Sequence, residues 1–239
     1  MFSAAVANGT LRGKKFAVLE NFDGGNPDVD RVKKMIINQL THEGATVVKL
    51  HLPTEFENLW SLVLGPVGTA EFRPQFDAYL ATLSSDQPHN SVEFLQVLNK
   101  LTDNGKKIIN PGRYKGLVDS ITTNTTDSPE YIEILTNTIP RLRNELEQIM
   151  VQGGYNAIVF PTMSCPASVI HGKSDPQFIC KSSDSYAASY IASSTGFPEI
   201  TVPAGWAAGH VPVGISFLGT ANDDLRLMQY AYQFELMKK

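Results

Sequence analysis

The chain has 239 residues, 42% of them hydrophobic and 18% charged, which suits one large or two small globular domains with a sizeable core. A net charge of −4 and basic runs of only two residues argue against a nucleic-acid or membrane-surface partner. No apolar run reaches the roughly 18–20 residues of a membrane-spanning helix, and Met1–Thr10 has neither the basic start nor the core length of a signal peptide.

In chain order, Lys14–Glu20 reads as a strand and Asp23-Gly24-Gly25-Asn26 as a turn. Asn26 is placed to cap a helix that has Pro27 at its first position. Val29, Val32, Ile36 and Leu40 share one face of it, and Gly44 ends it. Thr46–Leu52 is a second strand, so the first forty residues after Lys14 form a strand-helix-strand unit with parallel strands. Thr54 and Glu57 have the spacing of a capping box. Gly65-Pro66 predicts a break before a helix restarting near Thr69, and Asn90 and Glu93 predict another start, with a stop at Asn104-Gly105. A short helix is expected around Tyr114–Thr122. Ser128-Pro129 opens a long helix carrying Ile132, Leu135, Ile139, Leu142, Leu146 and Ile149, kinked at Pro140 and ended by Gly153-Gly154. A strand Asn156–Phe160 follows, then a short helix near Ser183–Thr195, strands at Ile200–Pro203 and Val213–Gly219, and a last helix from Asn222 using Leu225, Met228 and Tyr232. Strands at both ends predict one α/β sheet in a single domain over 1–239, with a helical insert at about 54–152.

Most residues that invite a chemical role have a plainer one. Gly214–Gly219 contains a serine between glycines, but Val213, Ile215 and Phe217 alternate straight through Ser216, as in a strand and unlike a nucleophile elbow. Ser193-Ser194 reads as a helix end, since no glycine-rich loop precedes it to bind an oxyanion. The five histidines are unpaired in spacing and neither cysteine has a ligand-type neighbour, so no metal or other cofactor is expected. The 23–26 turn lacks the Lys-Ser/Thr of a phosphate loop, which leaves a nucleotide-binding domain at 14–52 unsupported. Cys165 and Cys180 could pair, but thiols in a reducing cytoplasmic setting are the expectation. Sequons at Asn8-Gly9-Thr10 and Asn124-Thr125-Thr126 carry meaning only on secretion. The loop after Phe160 is different: ligands collect beyond the carboxyl ends of strands, which would set Thr162, Met163, Ser164 and Cys165 against a pocket. An ordinary connection accounts for its position equally well.

An ordered set of short motifs runs through the last third: Phe160-Pro161-Thr162, Cys165-Pro166-Ala167, Thr195-Gly196-Phe197-Pro198, Thr201-Val202-Pro203-Ala204-Gly205 and Val211-Pro212-Val213-Gly214-Ile215. Together they resemble the C-terminal part of amidase-signature enzymes, and Leu11–Leu19, Glu71-Phe72 and Tyr79-Leu80 extend the likeness upstream. Glu199, where small residues are usual, and Ser194, where Asn is frequent, depart from the pattern. The resemblance implies a mixed central β-sheet flanked by helices, no cofactor, and cleavage of amide C–N bonds through an acyl-serine. It also implies a serine nucleophile and a second serine in a Gly/Ser-rich region, with a lysine base earlier still, and no stretch here matches that set. No catalytic residue is therefore assigned, and Thr162, Met163, Ser164, Cys165 and Phe197 are the candidate substrate-binding residues. The expectation is a truncated hydrolase, inactive alone, that self-associates or meets a small amide substrate only when completed by an N-terminal half. A pseudo-amidase with a binding or assembly role is the alternative.

Overall fold

A computed structural model describes residues 2–103, 110–122, 126–170 and 172–237. The helix stop at Asn104-Gly105, most of the sequon at Asn124 and His171 lie outside them. Contacts divide the chain into two compact units, 1–60 with 139–239, and 61–138. The insert expected at about 54–152 compares with 61–138 for the second unit, because the helix at Ile139–Gly153 groups with the sheet.

The first unit holds a five-stranded sheet in the order β2-β1-β3-β5-β4. The strands are β1 (Lys15–Leu19), β2 (Thr46–Leu50), β3 (Ala157–Pro161), β4 (Glu199–Ala207) and β5 (Val211–Leu218). β1 runs parallel to β2 and β3, while β5 is antiparallel to β3 and β4. The sheet is therefore mixed, and built from both ends of the chain as the sequence predicts. The motif strands are longer than expected: β4 and β5 form a hairpin with a register shift at Pro203–Gly205. Pro203 is tolerated because β4 is an edge strand.

Period-two alternation gives each strand two faces. One face carries Phe16, Val18, Val159, Ile215 and Phe217 into a core shared with α2 (Pro27–His42) and α9 (Asp224–Leu236). Rings meet edge to face there, Phe16 with Tyr230 at 5.2 Å and Phe217 with Phe234 at 5.9 Å. The opposite face buries Leu19, Ile158, Phe160 and Leu218, and α7 (Ile139–Gly153) buries Leu142, Leu146 and Met150. The unit also contains α1 (Phe2–Ala7), which no pattern in the sequence announces, and α8 (Tyr190–Thr195).

Local chemistry explains most element ends. Asn26 Oδ1 accepts from Asp28 N at 2.8 Å and Val29 N at 3.1 Å, and Pro27 opens α2. Gly44 beyond the helix end has φ +84°, a left-handed value that costs glycine little. Thr54–Glu57 is a 3₁₀ turn with no side-chain cap, so the expected capping box does not form. The Glu57 carboxylate is drawn instead to Asn21 Nδ2 at 2.7 Å.

The second unit is helical: α3 (Gly65–Leu80), α4 (Ser91–Asp103), α5 (Pro111–Thr122) and α6 (Pro129–Glu133). Gly65-Pro66 does not break the helix. A π-turn ending at Leu64 runs straight into α3, and Pro66, whose ring fixes a helical φ, sits just past that junction. Asn90 and Glu93 form a reciprocal cap, with Glu93 N donating to Asn90 Oδ1 at 3.0 Å and Asn90 Nδ2 to Glu93 Oε1 at 2.8 Å. Phe72, Phe76 and Phe94 stack at 5.1 Å per pair. The single long helix predicted from Ser128 is divided by a π-turn over Ile134–Thr138, just before Pro140. The wider turn shifts the register, so Ile134 is buried while Ile132 and Leu135 are exposed.

Candidate functional site

The site is built where β3 ends. Thr162 N still bonds to Gly214 O at 3.1 Å, and then the chain leaves the sheet. A strap made of residues 163–170 and 172–186 crosses the N-terminus of α2 and is tied both to itself and to the start of that helix. Ser164 N donates to Ser185 O (3.1 Å), Lys181 N to Gly25 O (2.9 Å), and Asn26 Nδ2 to Ile179 O (2.8 Å). Asn26 thus caps a helix with its oxygen and holds the strap with its nitrogen. Gly25 is required for close approach: a Cβ there would stand 2.5 Å from Ser164 O.

The strap is closed covalently. Cys165 and Cys180 form a disulfide, with Cα atoms 5.4 Å apart, which corrects the expectation of free thiols. The sequence places the cysteines fifteen residues apart with no signal of pairing, and only the return of the strap over Gly25 brings them together.

Two recesses of different character flank this strap. The first is a cavity of about 390 Å³ floored by Val29 and Val213, with Met163, the bridge, Phe178 and Tyr186 around it. Among the described residues, none that lines it is charged. The second, about 320 Å³, is lined by polar residues, among them Asn21, Asp23, Glu57, Lys181 and Asp184. Asn21 holds its edge by pairing with both the N–H and the C=O of Leu52, at 2.8 and 2.9 Å. Lys33, almost fully buried, bonds Leu19 O at 2.6 Å and Asp23 Oδ1, fixing the turn from below.

Beside the strap's origin lies a cluster of hydroxyls. Ser216 is fully buried, with Phe160 and Thr201 as its register partners in β3 and β4. Its Oγ lies 2.8 Å from Thr162 Oγ1 and 3.0 Å from Thr201 Oγ1. Burial lifts the Glu199 carboxyl above its ordinary value near 4.5, against an opposing hydrogen bond from Ser216. Ser216 is thus a strand residue satisfied by neighbours, as its alternation predicts.

The five candidate residues do not converge. Met163 and Cys165 line the apolar cavity. Thr162 turns into the hydroxyl cluster. Ser164 is buried against Gly25, and its Oγ has no hydrogen-bond partner. Phe197 follows the left-handed Gly196 and packs under Arg143, whose guanidinium carbon is 5.2 Å from the ring centre. Phe178, Tyr186 and Val213 were missed: Phe178 lies in an irregular segment, Tyr186 falls in the short helix expected near Ser183–Thr195 but stands just before the 3₁₀ turn at Ala187–Ser189, and Val213 reads from sequence only as a strand residue. Among the described residues, no group of three or more His, Cys, Asp or Glu side chains is placed to hold a metal ion.

This mixed five-stranded sheet flanked by helices is the fold of the amidase-signature enzymes. The Amidase family model matches residues 3–228, and the chain belongs to that family. A glutamyl-tRNA(Gln) amidotransferase component from Heliobacterium modesticaldum is 23% identical over 216 residues, 89% of this chain and 42% of that protein. Native peptide amidase from Stenotrophomonas maltophilia shares the fold at a TM-score of 0.76 and 22% identity, covering 98% of this chain and 45% of that one. An amidase family protein from Bacillus anthracis str. Ames does so at 0.72 and 20%, with 99% and 41% covered. The chain therefore spans less than half the length of these relatives. No helix among the described residues is long and apolar enough to cross a membrane.

Proposed function

We propose that this chain forms the substrate-side part of an amide hydrolase and is inert by itself. The observation that carries this reading is the walled cavity at the end of β3 in a chain matching the Amidase model almost throughout. In the family, hydrolysis passes the acyl group from the amide to a serine and then to water, with a lysine as base. No stretch of the 239 residues resembles the Gly/Ser-rich region that holds the serines or the earlier segment that holds the lysine. The serines that could be mistaken for them are accounted for otherwise: Ser216 sits within β5, and Ser194 within α8. The nucleophile and base would come from sequence beyond these residues, in the same polypeptide or a partner. The unpaired edges of β2 and β4 support a sheet that such a segment extends. The bridge supports an oxidising compartment, against the cytoplasmic one expected from the sequence.

Co-expression with the N-terminal segment of an amidase-signature enzyme, carrying the two serines and the lysine, tests the proposal. A soluble complex that hydrolyses simple aryl amides is expected. A stable monomer that neither joins such a segment nor gains activity would instead favour the non-catalytic binding or assembly role.

A further inference from the structure

We propose that the cavity walled by the Cys165–Cys180 bridge takes a neutral aromatic or branched apolar group of the amide, a reading that rests on the hydrolase proposal for the word substrate but not for binding. The volume is sufficient. At about 390 Å³ the cavity falls in the range that holds small organic ligands, and roughly 150 Å³ of apolar space accommodates a benzene ring.

The lining sets the chemistry. Val29 and Val213 are 2% and 5% exposed, so the floor is part of the hydrophobic core. Met163, the disulfide and two aromatic rings form the sides. Thioether and disulfide sulfur are polarisable and pack well against aromatic edges. A carboxylate or ammonium entering here would lose part of its water and meet no charged lining residue among those described, a cost that disfavours amino-acid-like ends; Asp28 and Asp175 line an adjoining recess that shares Pro166, Ala167, Ser168 and Phe178, and Asp28 is already paired with Arg31. The polar recess across the strap offers carboxylates and Lys181, so charged groups have their partners there and not in the apolar cavity.

The bridge is a structural part of this cavity, since both cysteines line it. A dithiol reductant would convert the bridge to two thiols while being oxidised to its own disulfide, and the wall would lose its covalent tie.

The test is binding of acetanilide, a neutral aryl amide, to the whole chain by ligand-observed NMR, with glutamine amide as the charged comparison. Saturable binding of acetanilide is expected, with glutamine amide at least tenfold weaker. Ala167→Trp, at an exposed position on the lining, should weaken acetanilide at least tenfold with an unchanged Tm. Tyr186→Ala and dithiol reduction should each weaken it several-fold. Absence of saturable binding to folded chain, indifference to Ala167→Trp, or tighter binding of glutamine amide would overturn the proposal. If the chain alone does not stay in solution, the same variants are read in the completed enzyme, where KM for the aryl amide should rise while kcat holds. Loss of the hydrolase reading leaves the NMR result standing, and hydrolysis of charged amides in preference to aryl ones would overturn this inference alone.

Discussion

The two recesses beside the 163–186 strap are close in size and opposite in construction. The apolar one is shaped by core side chains and a covalent bridge: Val29 and Val213 belong to the sheet-helix core, and Cys165–Cys180 closes the side. The polar one is shaped by hydrogen bonds from side chains to the loops that form it, with Asn21 holding Leu52 O and Lys33, from α2 below, holding Leu19 O. A wall made by packing and a disulfide is hard to move by changes of charge or pH. A wall made of hydrogen bonds is open to both. The difference suits one recess to shape recognition and the other to charge.

The largest effect should come from the bridge. Replacing both cysteines by serine frees a loop of about fifteen residues in the unfolded chain, and about 3 kcal/mol of stability should be lost in oxidising buffer. Under reducing conditions the two proteins should unfold alike in denaturant. A double variant as stable as the oxidised parent would show that the bridge does not form.

Gly25→Ala should cost about 1–3 kcal/mol, because its Cβ meets backbone at Ser164 that cannot rotate away. Chemical denaturation measures the loss, which should be larger than for Gly68→Ala, where a Cβ meets nothing within 4 Å. Asn26→Ala comes next, at about 1–2 kcal/mol from the lost cap. Its companion Asn26→Ser keeps a capping oxygen but has no donor for Ile179 O, so comparing the two separates cap from strap.

The smallest effect depends on pH. Glu199 has a raised pKa in the folded protein, so the native state holds its proton more tightly than the unfolded chain does. Its contribution is therefore most favourable below the ordinary carboxyl value and declines as pH rises through the raised one. Glu199→Gln should remove that decline: the stability difference between variant and parent grows in the variant's favour from about pH 4 to pH 7. Parallel Tm-versus-pH curves would contradict the assignment.

These sites also show what was legible in the sequence. The Asn26-Pro27 start, the Asn90/Glu93 cap and the parallel β1-α2-β2 unit are local patterns, and each forms where its residues predict. The ordered Pro-Thr, Gly-x-Pro and Val-Pro motifs pointed to the family and the mixed sheet, since they mark strand ends and turns. What failed needed the third dimension. The last helix buries Leu227, Tyr230, Ala231 and Phe234, leaving the expected Leu225 and Tyr232 largely exposed. The Asp223 carboxylate bonds back to Thr220, so the helix begins at Asp224 and not at Asn222. Phe178 and Tyr186 reach the cavity only because the strap folds over Gly25, which no periodicity encodes.

On the function proposed above, the chain carries a wall of an amide-hydrolase site without its nucleophile. The most direct measurement is labelling of the purified chain with a serine-reactive fluorophosphonate, followed by peptide mass mapping. No serine should react above the heat-denatured control. Stoichiometric labelling of one serine, abolished by denaturation and accompanied by aryl-amide turnover, would contradict the account.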